Sequence, residues 1–308
     1  VHPITAEDGG LRRAALSCGL GRLAGGDNRE GARHMGYEQI LYEVRDRIAT
    51  VTLNRPDKLN AWTGVMGREV RQAMDEAARD ETVRVIVLTG AGRGFCAGAD
   101  MQMLSGIVDA GTAARVEDTP RPGPEGDAVR SDFRGPYAYF PMVPKPIIAA
   151  LNGATAGLGL VVSLYCDLRI AADSAVFTTA FSRRGLIAEH GVSWMLPRLV
   201  GLQHGLDLLL SGRKFNAAEA LAMGLVSQVQ PAATLMDAVR AYGRELADLV
   251  SPRSIRVMKR QIWEAQFQTL AEATAVGNEE MRRSFGAEDF KEGVAHFVEK
   301  RAPRFTGR

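Results

Sequence analysis

The sequence predicts an α/β fold with its strands in the first two thirds and helices in the last third, on three observations. Short β-prone runs recur before residue 180, several of them ending in glycine-rich turns. Stretches with apolar side chains at helical spacing lie between them. Beyond Gly191 nearly all of the pattern is helical, punctuated by Pro197, Pro231 and Pro252.

The elements follow in order. Residues 40–44 and 48–53 alternate as a hairpin around Arg45-Asp46-Arg47, and Pro56 ends the second strand. From Val65 onward, Met66, Val70, Ala73, Met74 and Ala77 fall on one helix face. Residues 85–89 form an apolar strand that opens into a glycine-rich loop over 90–100. The theme repeats with a buried strand over 146–151, a loop over 153–157 and an apolar helix over 158–166, followed by strands at 168–171 and 176–178. Amphipathic helices are expected over 234–249 and 254–267. Residues 106–136, rich in Gly, Pro, Asp and Arg, read as a long loop of the kind that covers a site. Residues 1–35 read as an N-terminal appendage, a flexible tail or a start placed too early. Their apolar run at 14–21 is broken by glycine and preceded by Glu7-Asp8, unlike a signal-peptide core. The expected division is therefore 1–35, a core over 36–230 and a helical region over 231–308.

Composition removes several functional classes. A chain that is 46% hydrophobic over 308 residues supports a real core and excludes disorder as its main state. With 38 basic and 36 acidic residues, a net charge of +2 gives no global attraction for nucleic acid or anionic lipid. The apolar stretches fall short of the roughly 20 residues of a membrane span. Cys18, Cys96 and Cys166 are odd in number and form no Cys-x-x-Cys pair, which argues against a disulfide framework or a zinc site and fits a reducing cytoplasm. No Gly-x-Ser-x-Gly elbow or His-Glu-x-x-His pair is present, so hydrolase and metalloenzyme readings lack support.

The chemistry concentrates in two glycine-rich segments. Residues 90–100 follow a strand, and their small residues let the backbone approach a ligand with its N–H groups exposed. A dinucleotide fingerprint fails because Phe95 stands where the third glycine belongs, and no Gly-Lys-Ser/Thr ending marks a phosphate loop. Residues 152–160 join a strand to a helix and direct the unsatisfied amides of the helix start outward. Either loop alone is an ordinary structural turn.

Together with their flanks they resemble the crotonase (enoyl-CoA hydratase/isomerase) superfamily, from about Tyr37 to Phe305. The resemblance is carried by Asn54-Arg55-Pro56-Asp57-Lys58-Leu59-Asn60-Ala61, by Gly94-Phe95-Cys96-Ala97-Gly98-Ala99-Asp100 and by Lys145-Pro146 with the run to Asn152-Gly153. Cys166-Asp167 and residues 196–201 and 217–226 add to it. It implies a spiral of ββα repeats and a helical C-terminal region that packs subunits into trimers or dimers of trimers. The implied substrate is an acyl-CoA thioester, with no separate cofactor because coenzyme A is part of the substrate. The backbone N–H groups of Ala99 and Leu158 would form an oxyanion hole. The CoA adenine and phosphates would lie near Lys58, Leu59, Ala97, Asp100 and Met101, with Phe297 and Lys300 supplied by a neighbouring subunit's C-terminal helix. The alternative for the lysines is plain surface charge, and for Phe297 a place in the core.

The same resemblance identifies a departure. The positions of the two hydratase glutamates fall on Val161 and Phe181, neither of which moves a proton. Residues 181–191 instead resemble family members, including peroxisomal-type enoyl-CoA isomerases, that carry a glutamate at the position of Glu189, where it acts as the base of double-bond isomerisation. Hydration by this single carboxylate, or a catalytically silent acyl-CoA-binding paralogue, stays open. So does a structural place for His190, and either a CoA phosphate or a salt-bridge partner for Arg183-Arg184. RNA binding is disfavoured by the mixed charges of the first helix.

Overall fold

The structure is a computed structural model that describes residues 36–102, 105–106 and 130–308. The expected N-terminal appendage, and most of the expected long loop, lie outside the described residues. Within them, strands β1 (Ile40–Arg45), β2 (Ile48–Leu53), β3 (Val85–Gly90), β5 (Ile147–Leu151), β7 (Leu168–Ala172) and β10 (Gln228–Gln230) form one sheet in the order β1-β2-β3-β5-β7-β10. The β1–β2 hairpin is antiparallel and every other pair in this sheet is parallel. A second sheet has the order β4 (Gly94–Cys96), β6 (Ala154–Ala156), β8 (Val176–Thr178) and β9 (Phe215–Asn216).

Each of β3, β5 and β7 is followed within a few residues by a short strand of the second sheet. The chain therefore turns a corner three times in the same way, as a ββα spiral requires. Every residue of β3 and β5 is buried, the pattern of strands covered on both faces. Helix α1 (Gly64–Arg79) packs on β1 and β2, and its buried residues are Met66, Val70, Ala73, Met74 and Ala77, the five that the spacing selects. Thr63 caps it by accepting the Met66 amide.

Helices α2 (Leu158–Tyr165), α3 (Val192–Val200), α4 (Leu202–Ser211), α5 (Ala217–Ala222), α6 (Leu235–Leu249), α7 (Pro252–Ala265), α8 (Leu270–Phe285) and α9 (Glu288–Glu299) complete the chain. Helix α6 lies against β2, β3, β5 and β7, so the helical region that begins at 231 contributes its first helix to the core.

Four readings of the sequence are corrected. The stretches read as loops at 90–100 and 153–157 contain β4 and β6, and β9 and β10 extend the strands beyond the first two thirds. These four strands are only two or three residues long and show no period, and pairing with other segments of the same chain makes them strands. Pro197 lies inside α3 and does not end it. Helix α7 starts at Pro252 rather than 254, because proline at the first helical position gives up an amide that has no intrahelical partner. The described end of the 106–136 segment holds a short 3-10 turn, Ser131–Phe133, with Phe133 buried.

Candidate active site

The pairing of β4 with β6 builds the site. Gly94 is in register with Ala154 and Cys96 with Thr155, so the chains leaving these strands, 97–100 and 157–158, emerge side by side. A Cβ placed on Gly157 would lie 3.9 Å from the Cα of Gly98. The next residues, Ala99 and Leu158, thus follow from adjacent positions. Ala99 forms a parallel bridge with Trp62, made by Trp62 N donating to Gly98 O (2.8 Å) and Asp100 N donating to Trp62 O (2.9 Å). That pattern leaves the Ala99 amide directed away from Trp62. The Leu158 amide belongs to the first turn of α2, where no intrahelical acceptor exists. Neither amide donates to a protein acceptor among the described residues.

Side-chain pegs hold these loops. Asn60, fully buried, donates to Ala91 O and Gly94 O and accepts the Arg55 amide. Asn152 donates to Gly90 O and Gly92 O and accepts the Gly90 amide. Arg55 pairs with Asp100 at 2.8 Å, and this hydrogen bond, reinforced by the Gln102 amide, holds the Asp100 carboxyl below its ordinary range. The Asp100 side chain is therefore committed to the protein, as is its amide, which donates to Trp62 O.

Close packing tolerates no enlargement here. A Cβ on Gly159 would sit 2.3 Å from Cys96 O, so Gly159→Ala is expected to cost about 1–3 kcal/mol of stability, read as a lower urea midpoint with unchanged slope.

The segment 181–191, which carries Glu189, approaches the 97–100 loop at Arg184, whose Nη1 lies 4.0 Å from a Cβ placed on Gly98. Its turn is fixed by the Tyr165 hydroxyl, at the end of α2, which donates to His190 O (2.8 Å). His190 has φ +54°, a left-handed conformation that a non-glycine residue adopts at some cost and that this hydrogen bond and its packing maintain. The His190 ring meets Tyr137 edge to face at 4.9 Å, and Tyr137 meets Trp62 at 5.9 Å. A continuous aromatic path thus runs from the Ala99 loop to His190. The Glu189 carboxylate lies 3.9 Å from His190 Nε2, with its side chain one third exposed. Burial holds the His190 pKa below its ordinary value against the opposing pull of Glu189, so the imidazole is neutral at pH 7. Tyr165→Phe leaves His190 O without this donor, and a loss of about 1 kcal/mol is expected by chemical denaturation.

The other sequence-selected residues divide. Lys58 and Leu59 do come to the loop, since Ala97 N donates to Leu59 O (3.0 Å), and Lys58 and Met101 are exposed there. Phe297 is 80% exposed, so it is not a core residue of the single chain. It lies with Lys300 at the end of α9, which packs on α8. Val161 and Phe181 are buried, which matches their apolar character. Arg183 donates to Ser211 O, and Arg184 reaches within 4.0 Å of a Cβ placed on Gly98. Neither forms a salt bridge among the described residues. Cys96 and Cys166 are buried, with thiols pushed up to about 12, and are inert. No cluster of metal-ligating side chains occurs among the described residues, and no helix there is long and apolar enough to cross a membrane.

Tyr165, Tyr137 and Trp62 had no role in the sequence reading. Asn60 and Asn152 lay inside the quoted motifs, where an Asn beside a glycine turn was the available signal.

The family model for enoyl-CoA hydratase/isomerase matches residues 43–308. The chain belongs to the enoyl-CoA hydratase/isomerase family. As members of it, its relatives carry both names. It is similar to the 1,2-epoxyphenylacetyl-CoA isomerase of Escherichia coli (strain K12), with 36% identity over 88% of this chain and 99% of that one. Among solved structures it is similar to an enoyl-CoA hydratase from Mycobacterium tuberculosis H37Rv (TM-score 0.75, 30% identity, 88% and 99% covered). It is also similar to one from Polaromonas sp. JS666 (TM-score 0.77, 27% identity, 86% and 99% covered). The protein is an enzyme of this class with a crotonase fold, and an acyl-CoA substrate is consistent with the family.

Proposed function

We propose that the enzyme isomerises 3-enoyl-CoA to 2-enoyl-CoA with Glu189 as its base. The observation that carries this reading is the count of carboxylates: buried Val161 and Phe181 occupy the hydratase glutamate positions, while Glu189 stands on a turn braced by Tyr165 and by the aromatic path to the Ala99 loop. One base suffices to carry a proton between two carbons of the same substrate. Glu189 removes the C2 proton, the negative charge of the dienolate moves to the thioester oxygen, and the same carboxyl group returns the proton at C4. The amides of Ala99 and Leu158 stabilise that oxygen, and because they are fixed before the charge develops no reorganisation is needed. A relative named as an isomerase of a CoA thioester, 1,2-epoxyphenylacetyl-CoA, supports isomerisation in the broad sense.

Coenzyme A, part of the substrate, lies along Lys58, Leu59, Ala97, the Asp100 main chain and Met101. Phe297 and Lys300 of a neighbouring copy close over it. The apolar side chains that α7–α9 leave exposed, including Ile262, Leu270, Phe297 and Val298, support a homotrimer or a dimer of trimers.

The test is ultraviolet spectroscopy, which detects the conjugated 2-enoyl thioester, together with mass spectrometry of purified enzyme with 3-enoyl- and 2-enoyl-CoA of several chain lengths. Conversion of the first to the second without a change of mass is expected. Gain of one water by 2-enoyl-CoA, without isomerisation, replaces this reading with single-carboxylate hydration. Binding without turnover replaces it with a silent paralogue.

A further inference from the structure

A cavity of about 270 Å³ opens at the amino ends of β3 and β5, the end of the sheet opposite the Ala99 and Leu158 loops. Its wall carries Arg79 and Glu81 from the end of α1, Arg84 and Lys145 from the segments entering β3 and β5, Arg256 from the start of α7, and Arg308. Five cations thus outnumber the carboxylates that act on them, those of Asp80, Glu81 and Asp289.

The imbalance is not relieved by internal pairing. The guanidinium groups of Arg79, Arg84, Arg256 and Arg308 make no hydrogen bond or ion pair among the described residues. Lys145 donates to two main-chain carbonyls, Ala77 O and Asp80 O, which fix its ammonium without cancelling its charge. Burial pushes its pKa down to about 8, with Arg84 adding to the effect and Asp80 and Glu81 opposing it. Asp289 accepts from the Ser251 hydroxyl and the amides of Thr306 and Gly307 and makes no ion pair with Arg84, so its charge offsets that arginine only at a distance.

The wall is also set in place. A Cβ on Gly307 would meet Pro252 Cγ at 3.1 Å and Arg84 Nη1 at 3.3 Å, so the chain end, the start of α7 and Arg84 are packed together. The amino end of α7 adds its positive dipole to the same space. Like charges gathered in a partly desolvated recess repel one another, and a multiply charged anion relieves all of them at once.

We propose that this cavity binds a phosphate-bearing anion. Arg84, Arg256 and Arg308 supply the planar donors that match phosphate oxygens, and Arg79 and Lys145 supply the field. The site is distinct from the CoA segments named above, which lie at the other end of the strands. A phosphate group of this kind belongs either to free diphosphate or to a phosphorylated nucleotide, and the two are separated by experiment.

The experiment is isothermal titration of the full chain, its CoA site first saturated with a non-reactive acyl-CoA, at low salt, with inorganic pyrophosphate and separately with 3′-phosphoadenosine 5′-phosphate. Wild type, Arg84→Gln, Arg256→Gln and Lys58→Ala are compared. The expected result is saturable binding that weakens about tenfold in each arginine variant, the size of one charged hydrogen bond, and is unchanged in Lys58→Ala. Arginine-dependent binding of pyrophosphate identifies free diphosphate as sufficient. Arginine-dependent binding of the nucleotide alone identifies a nucleotide. Arg256 is exposed and unpaired, so its replacement leaves folding intact, which thermal melting verifies. Absence of saturable binding to either probe overturns the proposal, as does binding that survives both arginine changes.

Discussion

Glu189→Gln is expected to lower kcat for 3-enoyl-CoA by about 10²–10⁴-fold, the range that a positioned general base contributes. The amide is close in size and keeps the contact with His190, so thioester affinity should remain within a few fold of wild type. The separation of kcat from binding identifies a proton carrier, because a residue that only shaped the pocket would change both. Stopped-flow turnover with the 3-enoyl substrate, alongside titration with a non-reactive acyl-CoA, provides the two readouts. Retention of more than a tenth of the wild-type kcat would remove Glu189 from the mechanism.

The largest expected loss of stability lies elsewhere, at Lys259. This lysine of α7 is 8% exposed and donates to Asp167 Oδ2 (2.6 Å), Lys145 O (3.0 Å) and Phe140 O (3.2 Å). Asp167 also accepts from Ile147 N and Trp263 Nε1, so one ion pair joins α7 to the edge of β5 and to the turn before β7. Burial lowers the Lys259 pKa, with Asp167 opposing the shift, which shows that the pair is maintained against a desolvation penalty. Lys259→Met removes the cation and strands the carboxylate, and a loss of about 3–5 kcal/mol is expected in urea unfolding. The double variant Lys259→Met/Asp167→Asn removes both charges. It should recover a substantial part of that loss, and strict additivity of the two single changes would show that the charges are not coupled.

The parts of the fold legible in the sequence were those whose signal is local. The face of α1, the fully apolar β3 and β5 and the β1–β2 hairpin each declare themselves within a dozen residues, since burial on one or both faces imposes a period or a run. The short strands β4, β6 and β9 do not, because they exist through partners about 40 to 60 residues away. The site divided in the same way. Gly98 and Gly157 marked where the backbone must come close, and the motifs around them pointed to Ala99 and Leu158. The supports did not show: Tyr165 reaches His190 across 25 positions and Arg55 reaches Asp100 across 45, contacts with no trace in spacing. Glu189 was singled out only through the resemblance of its whole segment, as an isolated glutamate in a turn carries no signal of its own.

Helix α3, which follows the Glu189 turn, places Trp194 in a column of four planar groups. Arg198 lies 4.0 Å over its ring, Phe267 stacks on its other side at 5.4 Å with a 10° tilt, and Arg130 covers Phe267 at 4.6 Å. The column ties three distant stretches of chain, the segment at Arg130, the residues that follow α7 and the helix that follows the Glu189 turn. Indole emission depends on what lies against the ring. With Trp62 and Trp263 replaced by phenylalanine, Trp194 is thereby an optical gauge of how the C-terminal helices are seated, readable without an added label.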